Sequence, residues 1–415
     1  MTKEFLVASK KSYSYSDLIN DINREINYSR YLYVKENKPY ELFLKILHSI
    51  LYHYPIEMLD GNFSKEELAK IGIDIAEVFE KKYINGKIKI KSIKNILDEA
   101  KKNKNWTITL YTSGTTGLPK KVVHTIDSIT RNVKISDKFC NNIWGLAYNP
   151  THIAGLQVFF QAIFNENTMV DMFANEIKNA KENIEKYQVT NISATSTYYR
   201  NLLMHLKENM YESVNYITFG GEKYDKKVME QIGKVFPKAK IRNIYASTEA
   251  GSLFNSKGEV FTIPDKLKNM VKISKENELL IHKSLLGDLE TMFLDRDWYN
   301  TKDIVEKTCK NSFKIVSRKT DLINVGGYNV NPLEIEEILL NIPEIVDIKA
   351  YGRKNSVTGN IIMIDIVITD KENEKEIRQR IKKYASKNLQ PWKVPRIINI
   401  VDKLEQTRTG KKARK

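Results

Sequence analysis

The stretch Leu110–Thr125, LYTSGTTGLPKKVVHT, concentrates groups that bind anions. Four hydroxyls (Thr112, Ser113, Thr115, Thr116) and two glycines (Gly114, Gly117) fall between a strand-like run, WTITLY, and the ammonium groups of Lys120 and Lys121. Glycine lets backbone N–H groups come close to an anion, and successive N–H groups form a concave nest for it. The chemistry implied is the holding of phosphates or a carboxylate. The spacing is not GxxxxGK[ST], so a P-loop fold does not follow. Taken alone, the segment is also compatible with a polar surface loop.

A loop of this kind needs a frame. Between Trp106 and Thr248 short apolar runs (WTITLYT, IWGLAYNP, NTMVDMF, VTNISAT, VNYITFGG, KIRNIYAS) alternate with amphipathic segments. The helical segments are GLQVFFQAIF, ANEIKNAKENIEKY, YYRNLLMHLKEN and DKKVMEQIGKVF. Strict alternation predicts βαβ units and largely parallel sheets, with ligands at the carboxyl ends of strands. The runs at Thr107–Tyr111, Val214–Phe219 and Ile241–Tyr245 each lead into a polar or Gly-rich segment, which places the site there. After about Ser317 the pattern changes. A helix with Pro332 in its first turn (NPLEIEEILLNI), strands VDIKAYGR and IIMIDIVIT, a helix EKEIRQRIKKYASKNL and a strand RIINIVDKL make a small α+β unit. The expected organisation is a large α/β domain over residues 1–317, of mostly parallel sheets flanked by helices, and a small α+β domain over 318–415.

Composition narrows the function classes. A chain of 415 residues is too long for one core, and 41% hydrophobic with 28% charged residues is ordinary for a soluble protein. The net charge of +16 is spread along the chain and interleaved with acids, as in KENEKEIRQRIKKY. Specific nucleic-acid binding is therefore not expected, although the field favours small polyanions. The N-terminus lacks the apolar stretch of a signal peptide, no run is long enough to span a bilayer, and no membrane-binding tail is expected beyond Lys411. Cys140 and Cys309 form no CxxC or metal-ligand cluster, which points to a reducing cytoplasm and to two buried or half-buried small residues.

Six motifs in one order resemble the adenylate-forming superfamily, which includes acyl-CoA and aryl-CoA synthetases, firefly luciferase and peptide-synthetase adenylation domains. TSGTTGLPK is similar to its phosphate loop, GGE (Gly220–Glu222) to its adenine-pocket segment, and YASTEAG (Tyr245–Gly251) to its YGxTE motif. YNTKD (Tyr299–Asp303) stands where the family has TGD. SRKTDLINVGGYNVNPLEIEEIL resembles the start of its mobile C-terminal domain, and TRTGKKAR (Thr407–Arg414) its terminal lysine motif. The resemblance implies two half-reactions. A carboxylate attacks the α-phosphorus of ATP to give acyl-AMP and pyrophosphate, and a thiol then takes the acyl group.

On this resemblance Thr112–Gly117 and Lys120 cradle the β- and γ-phosphates. Thr248 donates to the α-phosphate, and Glu249 supplies an oxygen to Mg²⁺, which takes few protein ligands beside phosphates. Gly220, Gly221 and Glu222 line the adenine, with Tyr245 stacked on it. Asp303 accepts from the ribose hydroxyls, and Arg318 reaches the ribose. Lys411 bridges the attacking carboxylate and the α-phosphate. The C-terminal domain then swings about a hinge near Thr320, and Gly326 and Gly327 leave a passage for a pantetheine arm that a Cβ would obstruct.

The segment YNPTHIAGLQ resembles PxxHxxGL of acyl- and aryl-CoA ligases, including o-succinylbenzoate–CoA ligases, and puts His152 between acyl pocket and thiol. Amino-acid-activating relatives carry Asp at the next position. Here it is Ile153, which cannot offset the burial of a substrate ammonium, so an acid without an α-amino group is favoured. Lys121 in place of Gly, Ala246 in place of Gly, TKD in place of TGD and a short region before the loop depart from the pattern. The leading expectation is an ATP- and Mg²⁺-dependent acid–thiol ligase acting on a small carboxylic acid and coenzyme A. Its rivals are an enzyme loading the pantetheine of an acyl carrier protein and an inactive nucleotide-binding scaffold. Nothing in the sequence fixes the oligomeric state.

Overall fold

The computed structural model describes residues 3–413 except 10, 31, 85–87, 103, 113–119, 174–176, 207–208, 289–296, 357, 370–372 and 408–410. The chain divides into two compact units, Met1–Val271 with Ile281–Tyr299, and Lys272–Leu280 with Asn300–Lys415. The architecture is the α/β arrangement with a smaller C-terminal part that the alternation of patterns predicts.

Among the described residues, the first unit holds an eight-stranded sheet. Its strands run in the order Gly251–Ser256, Lys240–Ser247, Tyr216–Gly220, Asn191–Ala194, Ile143–Leu146, Thr168–Asp171, Glu4–Val7 and Ser12–Ser14. The six inner strands are parallel and the two edge strands antiparallel. A second sheet, Tyr33–Glu36, Ile56–Asp60, Thr107–Thr112 and Lys120–Thr125, has three parallel strands and an antiparallel last one. The short N-terminal region thus still supplies two strands and the buried helix Pro39–Tyr52, which support the strand leading into the anion-binding loop.

Apolar periodicity explains the packing. The helix Ile153–Ile163 is apolar nearly all round and is buried, with Phe159 stacked on Phe43 at 4.2 Å and Phe160 beside it. Its third residue has to be glycine: a Cβ on Gly155 would lie 2.3 Å from the Asn149 carbonyl, so the turn Asn149–Pro150 sets the helix close against its own entry. The expected helix over 174–187 is observed as Ala180–Tyr187 after a single 3₁₀ turn, Ile177–Asn179. Trp106 is buried and donates through Nε1 to Ser49 Oγ at 3.0 Å, which joins the strand before the loop to the helix beneath it.

In the second unit the strands Ile345–Asn355, Gly359–Ile368 and Ile397–Ile400 carry the helices Pro332–Leu339 and Glu374–Asn388 on an isoleucine-rich core. The hairpin Trp298–Cys309 and Ser312–Arg318 precedes them. The cysteines depart from expectation. Both Cys140 and Cys309 are exposed, because each lies at a turn, one after the 3₁₀ helix Asp137–Phe139 and one at the hairpin bend. Among the described residues no helix is long and apolar enough to cross a membrane.

One buried group makes the fold pH-sensitive. His48 is fully buried between the rings of Tyr28 and Tyr52, and neither ring nitrogen meets a hydrogen-bond partner among the described residues. Burial lowers its pKa from 6.5 to about 4, so the folded chain holds it neutral while the unfolded chain protonates it. Below about pH 6.5 the unfolded state binds the extra proton, and stability is lost as the pH falls towards 4. His48→Phe removes this component. Thermal midpoints measured from pH 7.5 to pH 4.5 should show the variant gaining on the wild type as acidity rises; parallel curves would show that His48 does not titrate this way.

Candidate functional site

The anion-binding loop is framed by two antiparallel strands. Thr112 closes the first, in register with Lys120, which opens the second. Ser113, Gly114, Thr115, Thr116 and Gly117 lie outside the described residues. Lys120 is exposed at the loop's exit. Lys121 is not a second cation left for a ligand: its Nζ is 3.0 Å from Glu57 Oε1, two strands away on Ile56–Asp60, and the Tyr111 hydroxyl on the strand between them donates to the other oxygen at 2.5 Å.

The turn after Lys240–Ser247 carries Thr248 and Glu249, and two long-range contacts fix it. The Thr248 carbonyl accepts a hydrogen bond from His124 Nε2 at 2.7 Å, and the other ring nitrogen lies 2.9 Å from Ser128 Oγ. Burial lowers the His124 pKa, so the ring is held neutral with its proton on the nitrogen that faces the carbonyl. The Glu249 carbonyl accepts from Gly287 N at 2.7 Å. Next to Gly287, Asp288 exchanges backbone hydrogen bonds of 2.8 and 2.7 Å with Val123. A Cβ on Gly287 would lie 2.7 Å from the Val123 carbonyl, which explains the glycine. His124 and Val123 belong to the strand leaving the loop, so that strand and the Thr248–Glu249 turn are one rigid piece. The Glu249 carboxylate accepts from the Tyr299 hydroxyl at 3.2 Å. Among the described residues no cluster of three potential metal-ligating side chains exists. A cation held by a single carboxylate, with phosphates and water completing its shell, fits this arrangement.

The residues expected to line an adenine have structural duties of their own. Gly220 ends the strand Tyr216–Gly220, and its carbonyl accepts from the buried Tyr148 hydroxyl at 3.1 Å. Gly221 has φ +80°, a conformation that favours glycine. The Glu222 carboxylate accepts from Thr197 N and Thr197 Oγ1, both at 2.8 Å, at the start of the helix Ser196–Leu206. Its acid group therefore caps a helix, which leaves the backbone of this turn as the surface for a base. Tyr245 is only 6% exposed and lies among Phe254 and Phe261, with ring centroids at 5.6 and 6.2 Å, so a base would meet little of its ring.

His152 stands at the N-cap of the helix Ile153–Ile163 but makes no capping bond with its side chain. Its Nε2 instead lies 3.4 Å from Asp60 Oδ2, close enough for an ion pair but not aligned as a hydrogen bond. Asp60 is buried at the carboxyl end of the strand Ile56–Asp60, where Oδ2 accepts from Asn149 Nδ2 and Oδ1 from Asn62 N, both at 2.9 Å. Sequence reasoning missed Asp60, Asn149 and His124. Asp60 closes an apolar strand run, IEMLD, which is the one local signal that could have drawn attention to it.

In the second unit Asp303 and Arg318 face one another across the hairpin, with Arg318 Nε 3.8 Å from Asp303 Oδ1. Gly326 and Gly327 form the turn between Ile323–Val325 and Tyr328–Val330, with φ of +58° and +89°. Their glycine requirement in this unit is conformational and not steric. A Cβ on Gly327 would meet nothing within 4 Å and one on Gly326 only Thr358 Cγ2 at 4.0 Å. The Lys411 backbone pairs with Thr407, whose N–H donates to the Lys411 carbonyl at 2.7 Å.

The His124 contact generates a prediction. His124→Leu leaves the partly buried Thr248 carbonyl without its donor, at about 1–3 kcal/mol. Nucleotide binding that depends on the turn should weaken about tenfold, and His124→Gln, which keeps a side-chain N–H, should recover part of it. Titration of ATP·Mg²⁺ by calorimetry checks this; unchanged affinity in His124→Leu would mean that the turn holds itself.

The sequence matches the AMP-binding enzyme family over residues 49–274 and the AMP-binding enzyme C-terminal domain over 334–411. It is 26% identical over 331 residues to a 2-succinylbenzoate–CoA ligase of Listeria monocytogenes, covering 73% of this chain and 67% of that protein. To the Bacillus subtilis 2-succinylbenzoate–CoA ligase it is 24% identical over 389 residues, 85% of this chain and 76% of the relative. The O-succinylbenzoate coenzyme A synthetase of Bacillus subtilis, solved with ATP and magnesium ion, superimposes with a TM-score of 0.68 at 18% identity, covering 99% of this chain and 95% of that one. ATP-bound MatB of Rhodopseudomonas palustris gives 0.73 at 15% identity, covering 99% and 94%. With the first match alone spanning more than half of its length, and the C-terminal match following in order, the chain belongs to the AMP-binding enzyme family.

Proposed function

We propose that this chain is an ATP-dependent acid–thiol ligase that converts a carboxylic acid lacking an α-amino group to its acyl-adenylate and then to a thioester of coenzyme A. In the first step a carboxylate oxygen attacks the α-phosphorus and the bond to the β-phosphate oxygen breaks, releasing pyrophosphate. In the second, a thiol sulfur attacks the acyl carbon, AMP departs with the bonding pair, and the thiol proton is lost. Both partners of the first step are anions, so positive charge and fixed donors must offset their repulsion. The observation that supports this reading best is the bracing of the Thr248–Glu249 turn against the strand leaving the loop.

The residues divide the work accordingly. Thr112, Ser113, Gly114, Thr115, Thr116, Gly117 and Lys120 hold the β- and γ-phosphates. Thr248 donates to the α-phosphate while its own carbonyl is clamped. Glu249 holds Mg²⁺, which supplies Lewis-acid neutralisation of phosphate charge when bound. The backbone at Gly220–Glu222 receives the adenine, with no more than the small exposed part of the Tyr245 ring, and Asp303 and Arg318 receive the ribose. Lys411 reaches the α-phosphate in the adenylating arrangement, and rotation about Thr320 then presents Gly326 and Gly327 to the thiol. On this reading the functional boundary falls at residues 317/318, within the strand Ser312–Arg318 of the second compact unit. His152 stands where thiol and acyl group meet. The cytoplasm is the compartment this chemistry implies, with coenzyme A as acceptor in preference to a carrier-protein pantetheine.

The acid is bounded by Ile153, buried at the position where an ammonium partner would have to stand. The Listeria and Bacillus relatives named for 2-succinylbenzoate make an aryl or acyl acid the first class to test. Exchange of labelled pyrophosphate into ATP over a panel of aryl, fatty and amino acids, 2-succinylbenzoate included, should respond to the first two groups and not to the third. Lys411→Ala should lower that exchange by about 10²–10³-fold, the loss typical for one preorganised charge-stabilising group. Exchange driven by no acid, or untouched by Lys411→Ala, would point to a nucleotide-binding scaffold. Supplying coenzyme A or a phosphopantetheinylated carrier protein to the adenylate then identifies the acceptor.

A further inference from the structure

The C-terminal motif presents two adjacent lysines, Lys411 and Lys412, and the structure separates them. The Lys412 side chain is 8% exposed. Its Nζ lies 2.7 Å from Asp347 Oδ1 and 3.9 Å from Glu336 Oε2, and donates to the Ile348 carbonyl at 2.7 Å. Both carboxylates are themselves buried and otherwise satisfied. Asp347 Oδ1 accepts from Ile348 N at 2.9 Å, and Glu336 Oε1 from Ala350 N at 2.8 Å. Glu336 belongs to the helix Pro332–Leu339 and Asp347 to the strand Ile345–Asn355, so one ammonium ties the C-terminal segment to two elements of the unit's core. The segment closes on itself around this point. Gln406 bridges Lys412, Thr407 N donates to the Lys411 carbonyl at 2.7 Å, and Ala413 N donates to the Glu405 carbonyl at 3.0 Å.

We propose that Lys412 is the positioning residue for Lys411: its buried ammonium, held by Asp347 and Glu336, fixes the segment from which Lys411 extends. Seating Lys412 inward, with the Lys411 carbonyl held by Thr407 N, fixes the backbone at the root of the Lys411 side chain. The Asp347 carboxylate and the Ile348 carbonyl lie at hydrogen-bond distance from the ammonium, and the Glu336 carboxylate adds negative charge at 3.9 Å. This lysine is committed to the core and does not substitute for its neighbour. A long side chain that stabilises a transition state loses much of its effect when its root shifts by about an ångström, so anchoring belongs to the mechanism. The inference rests on the reading of Lys411 given above.

Two measurements on the full chain test it. The first needs no substrate. Acetylation by limiting N-hydroxysuccinimidyl acetate, read by mass spectrometry, should modify Lys412 at least tenfold more slowly in the folded chain than in urea. Equal rates would overturn the proposal. The second separates the half-reactions, using 2-succinylbenzoate or whichever panel acid gives the strongest exchange. Lys412→Met keeps the stem but removes the charge. It should lower pyrophosphate exchange about 30-fold, with thioester formation from supplied acyl-adenylate changed less than threefold. Lys412→Arg should restore most of the exchange. General damage to the unit would slow both half-reactions equally and overturn the proposal, as would unaltered exchange. Should Lys412→Met fail to fold, Asp347→Asn is the deciding variant and should show a smaller loss with the same selectivity. A loss of exchange in Lys411→Ala without one in Lys412→Met defeats only this inference, whereas normal exchange in Lys411→Ala defeats the reading beneath it.

Discussion

A neutral imidazole donating to a backbone carbonyl holds the nucleotide end of this protein together. The donor is His124, buried on the strand that leaves the glycine- and threonine-rich loop, and the acceptor is Thr248 in the turn with the acidic residue proposed for the cation. Loop and turn come from different sheets, and independent motion of either would spoil the relation between the phosphate cradle and the metal ligand proposed for them. Burial keeps the ring uncharged, and the carbonyl fixes which nitrogen bears the proton. The antiparallel bridge between Val123 and Asp288, with Gly287 admitted close to the backbone, repeats the connection one residue away. Two adjacent attachments make a rotation, and not only a separation, unfavourable.

Charge placement follows the same economy of moving parts. The protein is basic, yet two lysines that directly follow motif lysines in the chain are neutralised by carboxylates. Lys121 is taken up by Glu57 with help from Tyr111, and Lys412 by Asp347 and Glu336. A site that must bind a triphosphate and then release pyrophosphate gains nothing from cations that hold the product. The net charge of +16 gives a field that attracts anions from a distance, and pairing these lysines leaves close neutralisation to a few groups whose positions are controlled.

Much of this was legible in the sequence, and the remainder divides by a physical criterion. Alternating apolar runs fixed the parallel sheets because period-two and helical patterns are local, and the motif residues could be numbered because glycine, hydroxyl and carboxylate chemistry is written one residue at a time. Partners that meet only after folding could not be seen. His124 and Thr248 are 124 positions apart, and Asp60 lies in a strand whose sequence says only that its end is acidic. Glu222 was read as a ligand residue, and its carboxylate also caps the start of the helix Ser196–Leu206, 25 positions earlier, through Thr197, a partner that no local pattern shows. Gly326 and Gly327 were read as leaving room for a pantetheine arm, and the structure adds a separate reason for glycine at both, a positive φ, which no sequence pattern displays. The cysteines were expected inside on average behaviour, and local turns placed them outside.

The acid specificity turns on whether any carboxylate near the acyl pocket is available to an ammonium. Ile153 removes the one at the usual position, but Asp60 lies 3.4 Å from His152 and could in principle take its place. Its hydrogen bonds argue against that. One oxygen accepts from Asn62 N, the other from Asn149 Nδ2, and the side chain is 2% exposed. A charge so enclosed can orient an imidazole at contact distance, yet a substrate ammonium could reach it only by displacing Asn149, whose Oδ1 also holds Thr151 N and Oγ1. Displacement would dismantle the turn that lets Gly155 pass beneath it and so shift the whole buried helix. Asp60 is therefore committed to Asn62, Asn149 and the neighbourhood of His152, and is closed to a substrate ammonium.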